Sequence, residues 1–183
     1  MKIAILTSGG VDRGGVERVI PCLLWLIERL AQAGDEVHVF ALGQEPEPGA
    51  WPLLGATIHN AGRRRSGLRL ASQLFAEHRR ARFDVIHTAW SLTATLIGVL
   101  AGRLLGVPSL VYFGNTEVAD LPGIATVRSS LKGRVLLRLA VAAADRVATQ
   151  SAPMVLQARR LNISATRLPF GVALDRWPPA PPP

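Results

Sequence analysis

At 183 residues and 19.6 kDa the chain has room for one domain and little more. It is 49% hydrophobic and 19% charged, with a mean hydropathy of +0.25, so it holds enough apolar surface to offset ordering entropy, which excludes a disordered chain. The 21 Lys+Arg outnumber the 13 Asp+Glu to give +8, and all but Lys2 and Lys132 of those cations are arginine, a field that favours an anionic partner. A single cysteine, Cys22, excludes a disulfide scaffold and a multi-cysteine zinc site. The longest uncharged apolar stretch, 91–102, falls short of the ~20 residues a membrane-spanning helix needs. Lys2 to Leu6 runs into a glycine loop rather than a cleavage site, so the chain reads as soluble and cytoplasmic.

In chain order, Lys2–Thr7 is a short buried strand ending at Ser8-Gly9-Gly10. A helix follows between Gly15 and Ala33, stopped by Gly34; Pro21 requires it either to begin late, near Arg18, or to kink. Glu36–Leu42 is the second strand, Gly43–Pro52 a Pro/Gly-rich loop and Ala56–Asn60 the third strand. Ser66–Arg80 reads as a helix with Leu68, Ala71, Leu74 and Phe75 on its apolar face. Strands at Asp84–Thr88, Ser109–Phe113, Arg146–Gln150 and Ala165–Leu168 then alternate with helices at Ser91–Leu105, Ser130–Ala144 and Pro153–Leu161. Such alternation predicts a Rossmann-like, doubly wound parallel sheet of about seven strands with both faces covered. Residues 1–177 form that domain, and the five prolines within 178–183 read as a linker leading to a second domain.

Ligands of such sheets bind beyond the carboxyl ends of the strands. The loop SGGVDRGGVERV after the first strand is neither a Walker loop nor a dinucleotide fingerprint. It delivers Gly14 and Gly15 toward a helix N-terminus, either to bind a phosphate through free amides or simply to make a tight turn. His87 near the end of the fourth strand either meets a ligand or caps the strand as a hydrogen-bonded histidine.

Gly14-Gly15-Val16-Glu17-Arg18 resembles the G-G-x-E-R signature of the family 4 glycosyltransferases. Gly34-Asp35-Glu36-Val37, Phe83-Asp84-Val85-Ile86-His87, Ala144-Asp145-Arg146-Val147 with Ser151, and Leu168-Pro169-Phe170-Gly171-Val172 with Asp175 are similar, in order, to further segments of that family. The resemblance implies one half of a GT-B fold: the acceptor-binding amino-terminal domain of a retaining enzyme that uses a nucleotide-diphosphate sugar as substrate and no cofactor. It also implies that the donor-binding carboxyl-terminal domain is absent from these residues, which would leave them inactive alone. Carried over by position, Gly14 and Gly15 face the donor diphosphate, and His87 lines the acceptor side as the catalytic candidate. Asn115, Thr116 and Glu117 grip an acceptor hydroxyl on a sugar or lipid-linked acceptor. The sequence departs from the family at Ala89, at Tyr112-Phe113-Gly114 where a His-Gly pair is usual, and at Phe170 where asparagine is usual. The alternative is a stand-alone Rossmann-like module that binds a nucleotide or sugar phosphate without catalysis.

Arg63, Arg64 and Arg65, with Arg69, stand at the amino end of the Ser66–Arg80 helix, against its dipole, where cations are opposed by ~0.3–1 kcal/mol each. They form either a solvated basic loop or an anionic-surface site, such as an acidic membrane face at which the protein is peripheral. High pI without a recognisable module or basic-aromatic interleaving makes no case for nucleic acid.

Overall fold

The computed structural model describes residues 1–114, 117 and 126–172. Eight strands form one sheet: β1 (Lys2–Thr7), β2 (Glu36–Ala41), β3 (Gly49–Leu53), β4 (Ala56–Asn60), β5 (Val85–Ala89), β6 (Ser109–Phe113), β7 (Arg146–Thr149) and β8 (Thr166–Arg167). Their spatial order is β3-β4-β2-β1-β5-β6-β7-β8. All neighbours are parallel except β3, which runs antiparallel to β4. The chain moves outward from β1 to β2 and β4, then returns to the other side of β1 as β5. The point where strand order reverses therefore lies between β1 and β5, as in a doubly wound sheet.

Among the described residues the α-helices joining the strands are α1 (Pro21–Gln32), α2 (Ser66–Arg80), α3 (Leu92–Leu105), α4 (Leu131–Ala143) and α5 (Ala152–Arg160). Pro21 resolves its own conflict by occupying N1 of α1, where its missing amide is not needed. Ser91 and Ser130 cap α3 and α4 by accepting the amides of Ala94 and Gly133. Alternate residues of β1 feed two cores. Ile3 and Ile5 pack with Leu23 and Ile27 of α1, while Ala4 and Leu6 pack with Leu70 and Leu74 of α2 and Ala94 of α3. A third core, around Val111, Phe113 and Val147, continues under α3, α4 and α5.

Two expectations are corrected. The loop after β2 contains an edge strand, β3, whose Trp51 and Leu53 are buried at alternate positions; Pro52 is tolerated because β3 lies at the edge. Leu54 and Gly55, at φ 51° and 83°, make the two-residue hairpin turn to β4. Leu68 is 76% exposed, so α2 instead buries Leu70, Leu74 and His78, one residue per turn. As expected, both faces of the sheet carry helices, α1 on one and α2 to α5 on the other, and the cavity beside α1 opens along β5 and β6. Val85, His87 and Leu110 lining it are only partly buried.

Candidate functional site

The carboxyl edge of the sheet gathers the loops after β1, β2, β4 and β5. After β1 the chain folds back on itself: Ile20 N–H donates to Gly10 O at 3.1 Å. Gly10, at φ 89°, is required there because a Cβ would stand 2.6 Å from Ile20 Cγ1. Gln44, buried in the loop after β2, fills the turn: its Oε1 accepts the amides of Gly10 at 2.7 Å and Val11 at 3.0 Å. The Asp12 carboxylate accepts the Gly14 amide at 3.1 Å, and the Asp12 carbonyl accepts the Gly15 amide at 3.0 Å. Arg18 Nη2 lies 2.6 Å from both Asp12 Oδ1 and Glu45 Oε1. The Gly14 amide and the Arg18 guanidinium hold Asp12 below the usual carboxylate range, so it is ionised at neutral pH.

This geometry corrects the expectation that Gly14 and Gly15 bring free amides to a helix N-terminus. The helix they were to open begins six residues later at Pro21, and both amides are already paired within the loop. The reason is local: Asp12 supplies an internal acceptor two residues before Gly14, as aspartate does in turns. Gln44 was missed altogether, because one glutamine in a Pro/Gly-rich loop carries no sequence signal.

His87 occupies the third of five positions in β5, not its carboxyl end. Its side chain faces a cavity of about 390 Å³ between α1 and residues 168–172, walled by Trp25, Leu26, Leu110, Tyr112 and Phe170. His87 Nε2 is buried without a hydrogen-bond partner, and burial pushes the imidazole down to about 4, so it is neutral. Tyr112 donates its hydroxyl to Leu168 O at 2.9 Å, tying the far wall of the cavity to β6.

At the carboxyl end of β5, next to the reversal point, Trp90 adopts φ 53°, an outlier for a bulky side chain. Its indole packs on Phe170 with ring centroids 5.1 Å apart and edge-on to Tyr112. Strained backbone of this kind concentrates at functional positions, and no sequence pattern announced it. Glu117 is buried (3% exposed), beside Gly114 at the end of β6. Asn115 and Thr116 lie outside the described residues, as do 173–183. The arginines do come together: Arg64, Arg65 and Arg69 line one concavity with Pro46, Glu47 and Pro48, and Arg63 lies beside it against Gly43. Among the described residues no group of three His, Cys, Asp or Glu could hold a metal ion, and no helix is long and apolar enough to cross a membrane.

Comparison with solved structures finds the same architecture in sucrose-phosphate synthase from Thermosynechococcus elongatus, with a TM-score of 0.75, 16% identity, and coverage of 96% of this chain and 49% of that one. HepE from Anabaena, solved with UDP and glucose, matches at TM-score 0.58 and 16% identity, over 96% and 46%. UDP-GlcNAc 2-epimerase from Methanocaldococcus jannaschii matches at 0.54 and 13%, over 91% and 45%. At these identities the likeness is one of fold, and this chain spans about half the length of each. Comparison with curated proteins yields no match. The model of the glycosyl transferase 4-like domain, however, aligns with residues 14–170, from the glycine loop to Phe170 at the cavity wall. Together with a sheet wound outward from β1 and back to β5, that alignment establishes that the chain belongs to the glycosyl transferase 4-like domain family and is built as one Rossmann-like half of a GT-B fold.

Proposed function

We propose that the chain is the acceptor-binding half of a retaining glycosyltransferase that takes its sugar from a nucleotide-diphosphate donor, the donor being held largely by a second domain. The observation that carries this reading is the family match over residues 14–170 of a chain that spans about half of its structural relatives. In this reading the cleft works by holding two substrates together and stabilising developing charge, without a resident cofactor. Gly14 and Gly15 turn toward the donor diphosphate once Asp12 releases the Gly14 amide. Asn115, Thr116 and Glu117, after β6, engage the sugar or lipid-linked acceptor. His87 offers its unpartnered Nε2 as a hydrogen-bonding group on the acceptor side; an imidazole titrating at about 4 is too weak a base to take a hydroxyl proton at neutral pH. An acidic membrane face is a further partner of the same half, reached through Arg63, Arg64, Arg65 and Arg69.

The test is glycosyl transfer from a panel of nucleotide-diphosphate sugars, run with the full product of the native reading frame beside the 183-residue chain. Donor-dependent transfer by the longer protein alone is the expected result. Failure of the longer protein with every donor, joined by tight nucleotide binding to the 183-residue chain, would replace the enzyme by a stand-alone binding module.

A further inference from the structure

We propose that the arginine-walled concavity on the carboxyl edge of β2 and β4 is a binding site for a phosphate ester, and that this ester is carried by the acceptor. The second clause rests on the transferase reading above; the first does not. The concavity, of about 440 Å³, is lined by Pro46, Glu47, Pro48, Arg64, Arg65 and Arg69, three cations against one carboxylate. Among the described residues the guanidinium groups of Arg63, Arg64 and Arg65 make no hydrogen bond or ion pair. Arg18, in contrast, bridges Asp12 and Glu45, and Arg80 pairs with Glu77.

The walls are built rather than incidental. Asn60, fully buried at the end of β4, accepts the Glu45 amide at 3.2 Å and donates to the carbonyls of Glu45 and Glu47, at 3.1 and 2.5 Å. The Arg63 amide donates to Pro46 O at 3.0 Å, joining the loop after β4 to the loop after β2. Arg69 Nη1 donates to Ala61 O at 2.8 Å and Arg64 O at 3.3 Å, which fixes its guanidinium on the wall. Arg65 itself stands at φ 52° as the residue preceding α2, without a side-chain cap, and no acid lies in the first turn. Cations clustered at the positive end of a helix, on a strained backbone, oppose one another and the dipole. A dianion between them reverses both terms, and arginine forks match phosphate oxygens in pairs.

The position suggests whose phosphate it is. The loop carrying Pro46 to Pro48 also carries Gln44, whose side-chain amide holds the glycine loop after β1, so one loop builds the concavity and supports the glycine loop. Glu47, the single acid on the wall, suits a hydroxyl beside the phosphate, as a phosphorylated sugar or polyol would present.

The experiment is calorimetric titration of the 183-residue chain with inorganic phosphate, glucose 6-phosphate and glucose, and sedimentation with phosphatidylcholine vesicles with and without phosphatidylglycerol. Each is repeated with the pair Arg64→Gln/Arg65→Gln, and with Arg79→Gln/Arg82→Gln, which removes equal charge at the other end of α2. Binding of glucose 6-phosphate but not glucose, weakened about tenfold or more by the first pair and under about twofold by the second, is the expected result. Binding to the phosphatidylglycerol vesicles alone, with the same mutational pattern, assigns the phosphate to a lipid headgroup. Equal losses in both pairs, or no binding to any phosphate probe, overturn the site. Transfer by the longer protein without phosphate-ester binding here removes this inference and leaves the enzyme. Binding here without transfer leaves the site and removes the enzyme.

Discussion

Asp35, Asp84 and Asp145 each stand one residue before a parallel strand and tie the start of its neighbour. Asp35 binds the amino terminus at 2.8 Å, Asp84 accepts the Lys2 amide at 2.7 Å, and Asp145 accepts the Ser109 amide at 2.8 Å. The Ser109 amide holds Asp145 below its ordinary carboxylate range. The aspartates within the family-like segments at 34–37, 83–87 and 144–147 are thus structural clamps, at the edge of the sheet opposite the candidate site. Buried histidines form a second residue-scale system: Glu36 Oε1 lies 2.8 Å from His38 Nε2, and His38 Nδ1 lies 2.9 Å from His59 Nε2. With Glu36 held ionised, below its ordinary carboxylate range by His38 and Lys2, His38 donates to it from Nε2. Burial pushes both His59 and His87 down to about 4, against 6.5 when exposed. Between those values the unfolded chain binds more protons, so stability is complete above pH 6.5 and declines as pH falls toward 4. Urea midpoints measured from pH 7 to pH 4 should show that decline, and His87→Leu should flatten it while leaving the protein at least as stable at pH 5. An unchanged slope in the variant would mean that His87 is not the buried neutral group described.

At the scale of elements, helix and strand positions followed from periodicity, but faces and edges did not. The period placed α2 correctly at 66–80, with Leu74 and Phe75 toward the core, yet Leu68 is exposed and His78, a polar residue, sits on the buried stripe and accepts the Phe83 amide at 3.2 Å, so hydropathy alone missed part of the buried face. β3 was hidden because Pro48, Gly49 and Pro52 mark a loop, and only pairing with β4 makes Trp51 and Leu53 a buried pair. α3 lies close on the sheet because Gly98 faces it: a Cβ there would stand 2.3 Å from Thr88 Cγ2 and 3.2 Å from Leu6 Cδ2. Gly98→Val should therefore cost about 1–3 kcal/mol through overpacking, despite valine's larger apolar surface. A denaturation midpoint equal to the parent's would show that α3 moves away at no cost.

For the whole molecule the decisive feature is asymmetry between the two faces of the sheet. One face is roofed by α2, α3, α4 and α5, while the other carries α1 over β1 and β2 and then opens into the cavity at His87. Adjacent residues of β6 report this difference: Val111 is fully buried beneath the helical roof, whereas Leu110 borders the cavity. Val111→Ala should cost about 2–3 kcal/mol and Leu110→Ala about 1 kcal/mol, although leucine loses more atoms, because the second site already opens to solvent. The reverse order in chemical denaturation would mean that the cavity face is sealed. By itself the sequence determined the α/β class, the order of elements apart from β3, and the family, since strand and helix periods and short motifs are local properties that survive without neighbours. Tertiary structure decided which arginines share a concavity with the loop after β2, that Gln44 occupies the amides of Gly10 and Val11, and that His87 looks into an apolar space. Those facts depend on side chains brought together from distant loops, and no local pattern encodes such distances.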